Sequence, residues 1–207
     1  WLGLIEYGAA LSLQKELVAQ RAANEIPDTL LLLEHSPTYT VGNHGHSEHL
    51  LVSRDELRRL NIAYHRVDRG GSVTFHGPGQ LVCYPILDLK EHGYNYHEYL
   101  KVLEKVIIQA LAQLNVRAFR ERGQPGVWVF TANSELAASE WARAESRSAQ
   151  IATIGVKLNE HQITSQGITI NVKQELHLID KNMHSGVSAS QVSTLQHALN
   201  SPISIRS

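Results

Sequence analysis

The sequence predicts an α+β (mixed α/β) fold in a single domain, residues 1–207. Three observations carry that reading. Apolar runs of strand length recur along the chain, two stretches repeat apolar residues at i, i+3 and i+4, and no linker, internal repeat or low-complexity segment separates them. With 43% apolar and 19% charged residues among 207, the chain can bury a core and is too apolar for disorder.

The first element is an amphipathic helix over residues 8–23, with Leu11, Leu17 and Val18 on one side and Gln14, Lys15 and Arg21 opposite. Pro27 ends it. Leu30, Leu31, Leu32 and Leu33 form a continuous apolar run, the pattern of a strand buried on both faces. His35, Ser36 and Pro37 break that run, residues 38–41 are β-rich, and a polar loop spans 42–48. Ser53 fits the N-cap of a short helix over 54–60, with Glu56 in capping-box position. Residues 62–67 alternate as a strand and 80–89 are strand-like. The clearest helix covers 96–114, where Tyr99, Leu100, Leu103, Val106, Ile107, Ala110, Leu111 and Leu114 keep helical spacing. Further strands are expected at 127–130, 151–158 and 166–172. Between them, a polar insertion at about 131–149, rich in Ala, Ser, Glu and Arg, reads as an inserted helix or a mobile loop.

Composition removes several function classes. Nineteen Lys and Arg against twenty Asp and Glu give a net charge of −1, without the basic excess of a general nucleic-acid binder, so no nucleic acid is directly implied as a partner. No apolar run approaches the ~18 residues of a membrane helix, so no membrane span is expected. Cys83 is the one cysteine, which precludes an intrachain disulfide and suits a reducing compartment. A chain that opens at Trp1 reads as a processed or truncated product. His44, His46 and His49 have metal-like spacing, but zinc wants three or four convergent ligands with support behind them, and a polar loop is the reading. No metal and no cofactor are expected. Trp141 within the insertion is a packing residue or a partner anchor.

Residues 68–80 interrupt the strand pattern with four glycines and a proline in thirteen residues. Gly70 and Gly71 allow positive φ and close approach to a ligand. Arg69 is a candidate for holding a carboxylate or phosphate, and His76 for proton transfer or orientation. No Gly-Lys-Ser/Thr follows, so this is not a phosphate-cradling Walker loop, and a strand rather than a helix follows Gly79, which argues against a dinucleotide fingerprint.

The run Arg69, Gly70, Gly71, Ser72, Val73, Thr74, Phe75, His76, then Pro78, Gly79, Gln80, Leu81, Val82, Tyr84 and Pro85, resembles the signature of the octanoyltransferases of lipoate biosynthesis. Upstream, Leu31 to Glu34, His35, Pro37, Tyr39, Thr40 and Gly42 match the same family. Downstream, Gly126 to Val129, Ile154 to Val156, Gly167, Asn171 and Val172 match in order, so the resemblance covers nearly the whole chain. It implies a mixed-sheet fold shared with lipoate and biotin protein ligases. It also implies transfer of an octanoyl chain from acyl carrier protein to a lysine of a lipoyl domain. By motif position, Arg69 to His76, then Thr153, Ile154 and Gly155, then Gly167, Ile168 and Thr169 would line one acyl-binding cleft.

Three positions depart from the family pattern. The family's chemistry runs through a cysteine thioester activated by a lysine; here the resemblance places Ser185 at the cysteine position and Gln150 at the lysine position, and Gln166 stands where the family usually has His. A cysteine thiol needs a modest shift to ionise near neutral pH, whereas a serine hydroxyl needs a general base within hydrogen-bond reach. His184, His177 and His76 are candidates for that base. Lys157 is a candidate substitute for the lysine. Positions 150 and 157 differ by an odd number, so a regular strand points them to opposite sides and only a bulge would restore Lys157. Cys83 lies in a strand and reads as a small core residue. Two functions follow. One is a silent relative, a structural or acyl-binding subunit of a larger protein assembly. The other is an active octanoyltransferase using Ser185, with acyl carrier protein and a lipoyl domain as partners. An ATP-using ligase is a third, disfavoured by Gln150. A mitochondrial matrix or cytoplasmic location fits each.

Overall fold

The computed structural model describes residues 1–45, 50–130 and 148–171. These fall into two compact units, one of residues 1–45, 50–96 and 154–170, the other of 97–130, 148–153 and 171.

The first unit opens with β1 (Leu4–Ile5) and α1 (Tyr7–Ala22), followed by β2 (Thr29–His35), β3 (Thr38–Val41), α2 (Arg54–Arg59) and β4 (Ala63–Arg66). Then come β5 (Val73–His76) and β6 (Gln80–Ile86). After the excursion into the second unit, the end of β9 (Ser148–Leu158) and β10 (Thr164–Asn171) return. Its larger sheet runs β1-β2-β6-β10-β9; β1 is parallel and β6 antiparallel to β2. A small sheet runs β4-β3-β5, parallel between β3 and β4 and antiparallel between β3 and β5. The leucine run behaves as expected: Leu31 and Leu33 pack with Val82, Tyr84 and Ile86 under α1, while Leu32 and Cys83 on the other face are equally buried. His35 does not break the strand. It is the last residue of β2 and is wholly buried, because Tyr84 and the Ile5 carbonyl satisfy both ring nitrogens.

Helix α1 departs from its sequence pattern. Its buried stripe is Tyr7, Ala10, Gln14 and Arg21, so two polar residues assigned to the opposite face point inward. Remote partners explain both. Gln14 Oε1 accepts the Gln166 backbone N–H at 2.9 Å, and Arg21 donates to Asp28 at 2.8 Å, to Asn24 at 2.9 Å and to Glu91. Burial alone would raise the Asp28 carboxyl, yet the hydrogen bonds from Arg21 and His92 hold it below the usual range. Helix α2 starts where the cap predicts: Ser53 Oγ accepts the Glu56 N–H at 3.2 Å, and the Glu56 carboxylate turns to Arg59.

The second unit contains α3 (Tyr96–Gln113), β7 (Ala118–Glu121), β8 (Gln124–Phe130) and the start of β9. Of the eight apolar residues singled out for α3, six are buried, whereas Leu100 is half-buried and Leu114 lies half-buried just beyond the helix end. Strand β7 was not expected; it pairs antiparallel with β8, where Phe119 stacks on Phe130 at 4.5 Å. Strand β9 begins at Ser148, earlier than predicted, and its register with β8 skips Ile151: Val127 faces Ala152 and Trp128 faces Gln150. That irregularity removes the strict alternation on which the comparison of positions 150 and 157 rested.

Removing the Arg21 guanidinium strands a partly buried carboxylate. Arg21→Ala is expected to cost about 2–3 kcal/mol, read as a lower urea midpoint at unchanged slope. Arg58→Ala, which breaks an exposed pair with Asp55, should leave the midpoint where it is.

Candidate functional site

The glycine motif is half loop and half strand. Residues 68–72 form the turn between β4 and β5, and residues 73–76 are β5 itself, so the interruption of the strand pattern is shorter than the sequence suggests. Gly71 has φ +86, the left-handed conformation that favours glycine, whereas Gly70 is not among the positive-φ residues. The turn is closed by the segment after β3. Gly42 N–H donates to Ser72 O at 2.8 Å, Asn43 to Arg69 O at 3.0 Å and His44 to Gly71 O at 3.2 Å. A Cβ on Gly42 would lie 2.6 Å from the Gly71 carbonyl oxygen, so this approach requires glycine there.

Arg69 has a different task from the one its sequence position suggested. Its Nη1 donates to Gly70 O at 2.8 Å, and Nη2 reaches Thr40 Oγ1 at 2.7 Å, Thr74 Oγ1 at 2.9 Å and Thr40 O at 3.2 Å. The guanidinium is turned into the protein, bracing β3, β5 and the turn, rather than offered to an anion. Burial lowers its pKa, opposed by the phenols of Tyr7 and Tyr84. His76 is likewise internal, 4% exposed. Its Nδ1–H donates to Gln80 Oε1 at 2.7 Å, which leaves Nε2 to accept from Thr40 Oγ1 at 3.2 Å. Burial, helped by His35 and Arg69, pushes its pKa down to about 4 against the pull of Gln80. A ring neutral at physiological pH orients its neighbours; the proton-transfer half of the sequence expectation does not fit it. Rings pack around it, with Tyr7 stacked at 5.8 Å and His35 edge-on at 5.6 Å. Glu34 Oε2 accepts the Gly79 N–H at 2.8 Å and fixes the second turn of the motif.

Beside this scaffold lies a cavity of about 420 Å³, between one face of α1 and residues 66–68, with Lys157, Ser165 and Gln166 on the strand side. Asp68 is its hub: one carboxylate oxygen accepts from Asn43 at 2.8 Å, the other from Lys157, and its backbone carbonyl takes Gln166 Nε2 at 3.4 Å. Hydrogen bonds from Asn43 and Lys157 hold its carboxyl below the ordinary range. Gln166 sits at φ +55, left-handed for a residue with a side chain, and its N–H is held by the buried Gln14. A strained backbone beside a cavity is a common mark of a functional position. Sequence reasoning missed Gln14, Tyr7 and Tyr84 here, because no local pattern announces a buried polar partner.

Of the positions expected to line one cleft, Gly155 lies against Arg69 and Gly70, its would-be Cβ 3.6 Å from Arg69 Cδ and 3.9 Å from Gly70 O. Ser72 and Val73 are half-buried, and Phe75 is exposed against Tyr39. Gly167 instead abuts β6, where a Cβ would meet Cys83 O at 2.4 Å, and Ile168 and Thr169 are buried. Ile154 is half-buried in the first unit, and Thr153 belongs to the second. There Gln150 Nε2 donates to Pro125 O at 2.9 Å. Ser185, His177, His184, Trp141, His46, His49 and residues 131–147 of the insertion lie outside the described residues. Among the described residues no group of three His, Cys, Asp or Glu side chains is placed to hold a metal.

Two measurements follow from these environments. A histidine whose folded pKa is lowered stays neutral while the unfolded chain protonates. His76 therefore costs nothing above about pH 6.5 and removes stability as pH falls from there to about 4. The loss should reach roughly 3 kcal/mol, seen as a melting temperature falling steadily between pH 7 and pH 4; a flat profile would contradict this. Burial pushes the Cys83 thiol up to about 12. An alkylating reagent should leave the folded protein unmodified and add once after unfolding.

The family model described as the lipoyl protein ligase A/B catalytic domain matches residues 6–207. The octanoyltransferase of Chloroflexus aurantiacus is 39% identical over 199 residues, covering 96% of this chain and 82% of its own. That of Rubrobacter xylanophilus is 40% identical over 198 residues, covering 95% and 81%. A bi-partite lipoate protein ligase from Thermoplasma acidophilum, solved in a study that includes its E2 lipoyl domain, shares the fold with a TM-score of 0.57 at 14% identity, over 96% of this chain and 81% of that one. A mixed α/β chain built around an Arg-Gly-Gly turn thus belongs to the lipoyl protein ligase A/B catalytic domain family, with octanoyltransferases among its relatives.

Proposed function

We propose that this chain is an acyl-binding member of the octanoyltransferase family in which transfer of octanoyl from acyl carrier protein to a lipoyl-domain lysine is impaired or lost, leaving a structural or acyl-binding subunit of a larger assembly. The observation that carries the reading is Gln150. At the position where the resemblance puts the activating lysine stands an uncharged amide, bound to the Pro125 carbonyl at 2.9 Å. An amide cannot supply the positive charge that favours a thiolate. By the same alignment Ser185 replaces the cysteine, and an unassisted hydroxyl is a weak nucleophile. Lys157 is a poor substitute because its ammonium is engaged by Asp68. The retained glycine turn, with Gly155 against it, supports acyl binding; turn geometry positions a substrate and does not by itself activate a nucleophile. A lipoyl domain as partner is supported by the archaeal relative's own E2 lipoyl domain.

Incubation with octanoyl-acyl carrier protein should leave the chain without an octanoyl adduct by mass spectrometry, and a lipoyl domain added afterwards unmodified. Gln150→Lys combined with Ser185→Cys should recover acylation, and either change alone should do at least about tenfold less, because a thiol without a cationic neighbour stays mostly protonated near neutral pH. An adduct on Ser185 of the unaltered chain that chases onto a lipoyl domain would establish a working serine enzyme instead. Stoichiometric copurification with other proteins would support the subunit role.

A further inference from the structure

The two sheets of the first unit meet at a cluster of rings. Tyr7, the first residue of α1, has its ring centre 4.9 Å from that of His35 in β2, 5.0 Å from His65 in β4 and 5.8 Å from His76 in β5. His35 and His76 meet edge-on at 5.6 Å, and Tyr84 of β6 closes the group 5.9 Å from His35. His35 and Tyr84 belong to the larger sheet, His65 and His76 to the small one, whose strands β4 and β5 flank the glycine turn.

A proton arriving here has to displace something. His35 Nδ1–H donates to the Ile5 carbonyl at 3.1 Å, so Nε2 accepts the Tyr84 hydroxyl at 2.8 Å. On His76, Nδ1–H goes to Gln80 and Nε2 accepts from Thr40 Oγ1 at 3.2 Å. On each ring the nitrogen left to take a proton is already a hydrogen-bond acceptor, and protonation breaks that bond. A charged His76 would share the Thr40 hydroxyl with Arg69, whose Nη2 lies 2.7 Å from it. A charged His35 would face His76 and the half-buried His65. The positive end of the α1 dipole points at the same place. On the favourable side stands Glu6, which caps α1 and lies 3.5 Å from His65. Glu34 is turned to the Gly79 N–H, and burial keeps the phenols of Tyr7 and Tyr84 protonated. Burial also holds His35 and His76 below the ordinary histidine range. Beyond the turn, Asn43 and Lys157 hold the Asp68 carboxyl below its ordinary range, so that tie persists in mild acid.

We propose that this cluster is an acid-operated joint. His35 and His76 each take a proton from solvent, lose the bonds from Tyr84 and Thr40, and release the small sheet from α1 and β2 while the larger sheet stays folded. The joint moves the glycine turn and is independent of octanoyl transfer.

Amide hydrogen exchange on the full chain tests it, with the intrinsic rate of each amide divided out at every pH. Residues 38–41, 63–66 and 73–76 should exchange through one shared opening, more populated throughout than the opening that exposes residues 80–86. Its equilibrium constant should rise about thirtyfold through His76 alone as the pH falls from about 7.5 to about 5, because the opened ring titrates near its ordinary value. His35 should add a further rise. His76→Gln should remove the thirtyfold and keep the His35 share, and His35→Gln should do the converse. The unaltered chain gives a second reading that needs no variant: the ring signals of both histidines should titrate in step with the small-sheet amides. A small-sheet opening indifferent to pH would overturn the proposal. So would a single opening constant common to residues 38–41 and 80–86, or a rise that survives intact in both glutamine variants.

Discussion

A guanidinium that pairs with no carboxylate among the described residues holds the glycine motif together. Arg69 is half-buried and satisfied by neutral oxygens, the hydroxyls of Thr40 and Thr74 and the carbonyls of Thr40 and Gly70. Together these bonds reach three parts of the site: β3, β5 and the turn between β4 and β5. Because Thr40 also meets the His76 ring, a second positive charge there would face the first across one hydroxyl. The neutrality of His76 is therefore part of what lets Arg69 brace the turn. The packed rings of Tyr7, His35 and Tyr84 enforce that neutrality by excluding water.

Polar groups are spent inside this protein in an orderly way. Tyr84 donates to His35, whose other nitrogen donates to the Ile5 carbonyl, tying β1 to β6 through β2. Gln14 joins α1 to β10 near its start, and Asp68 joins the turn to β9 and to the segment after β3. These bonds are few, but each connects elements far apart in sequence. Their partial satisfaction would be costly, so they favour one arrangement over its near neighbours.

What could be read in advance depended on how local the cause was. Helix α3 and the Ser53 cap were legible because periodicity and a cap three residues from its partner are written in adjacent residues. The inward turn of Gln14 and Arg21 was not. Gln14 meets Gln166 across 152 residues and Arg21 meets Glu91 across 70, and no window of sequence holds both ends. Strand β7 is four residues with Arg120 and Glu121 among them, and it exists because β8 lies alongside. The skipped register at Ile151 is also a property of a pair of strands rather than of either one. At the site, the Arg-Gly-Gly run located the important turn, while the role of its arginine reversed: a residue read as a hand held out to ligand is a brace turned inward. The family resemblance located position 150, and the Pro125 carbonyl that receives its amide became visible only in the folded chain.

Cys83 has a practical consequence. It is the single thiol of the chain, and it lies wholly buried in β6 with Gly167 pressed against its carbonyl. The protein is thus a ready-made cysteine-free surface. A spin label, fluorophore or crosslinker attached through an introduced cysteine would sit at a single known address, with no need to disturb the core by removing the natural one. Distances between such labels could chart how any added protein approaches, one position at a time, on an otherwise native chain.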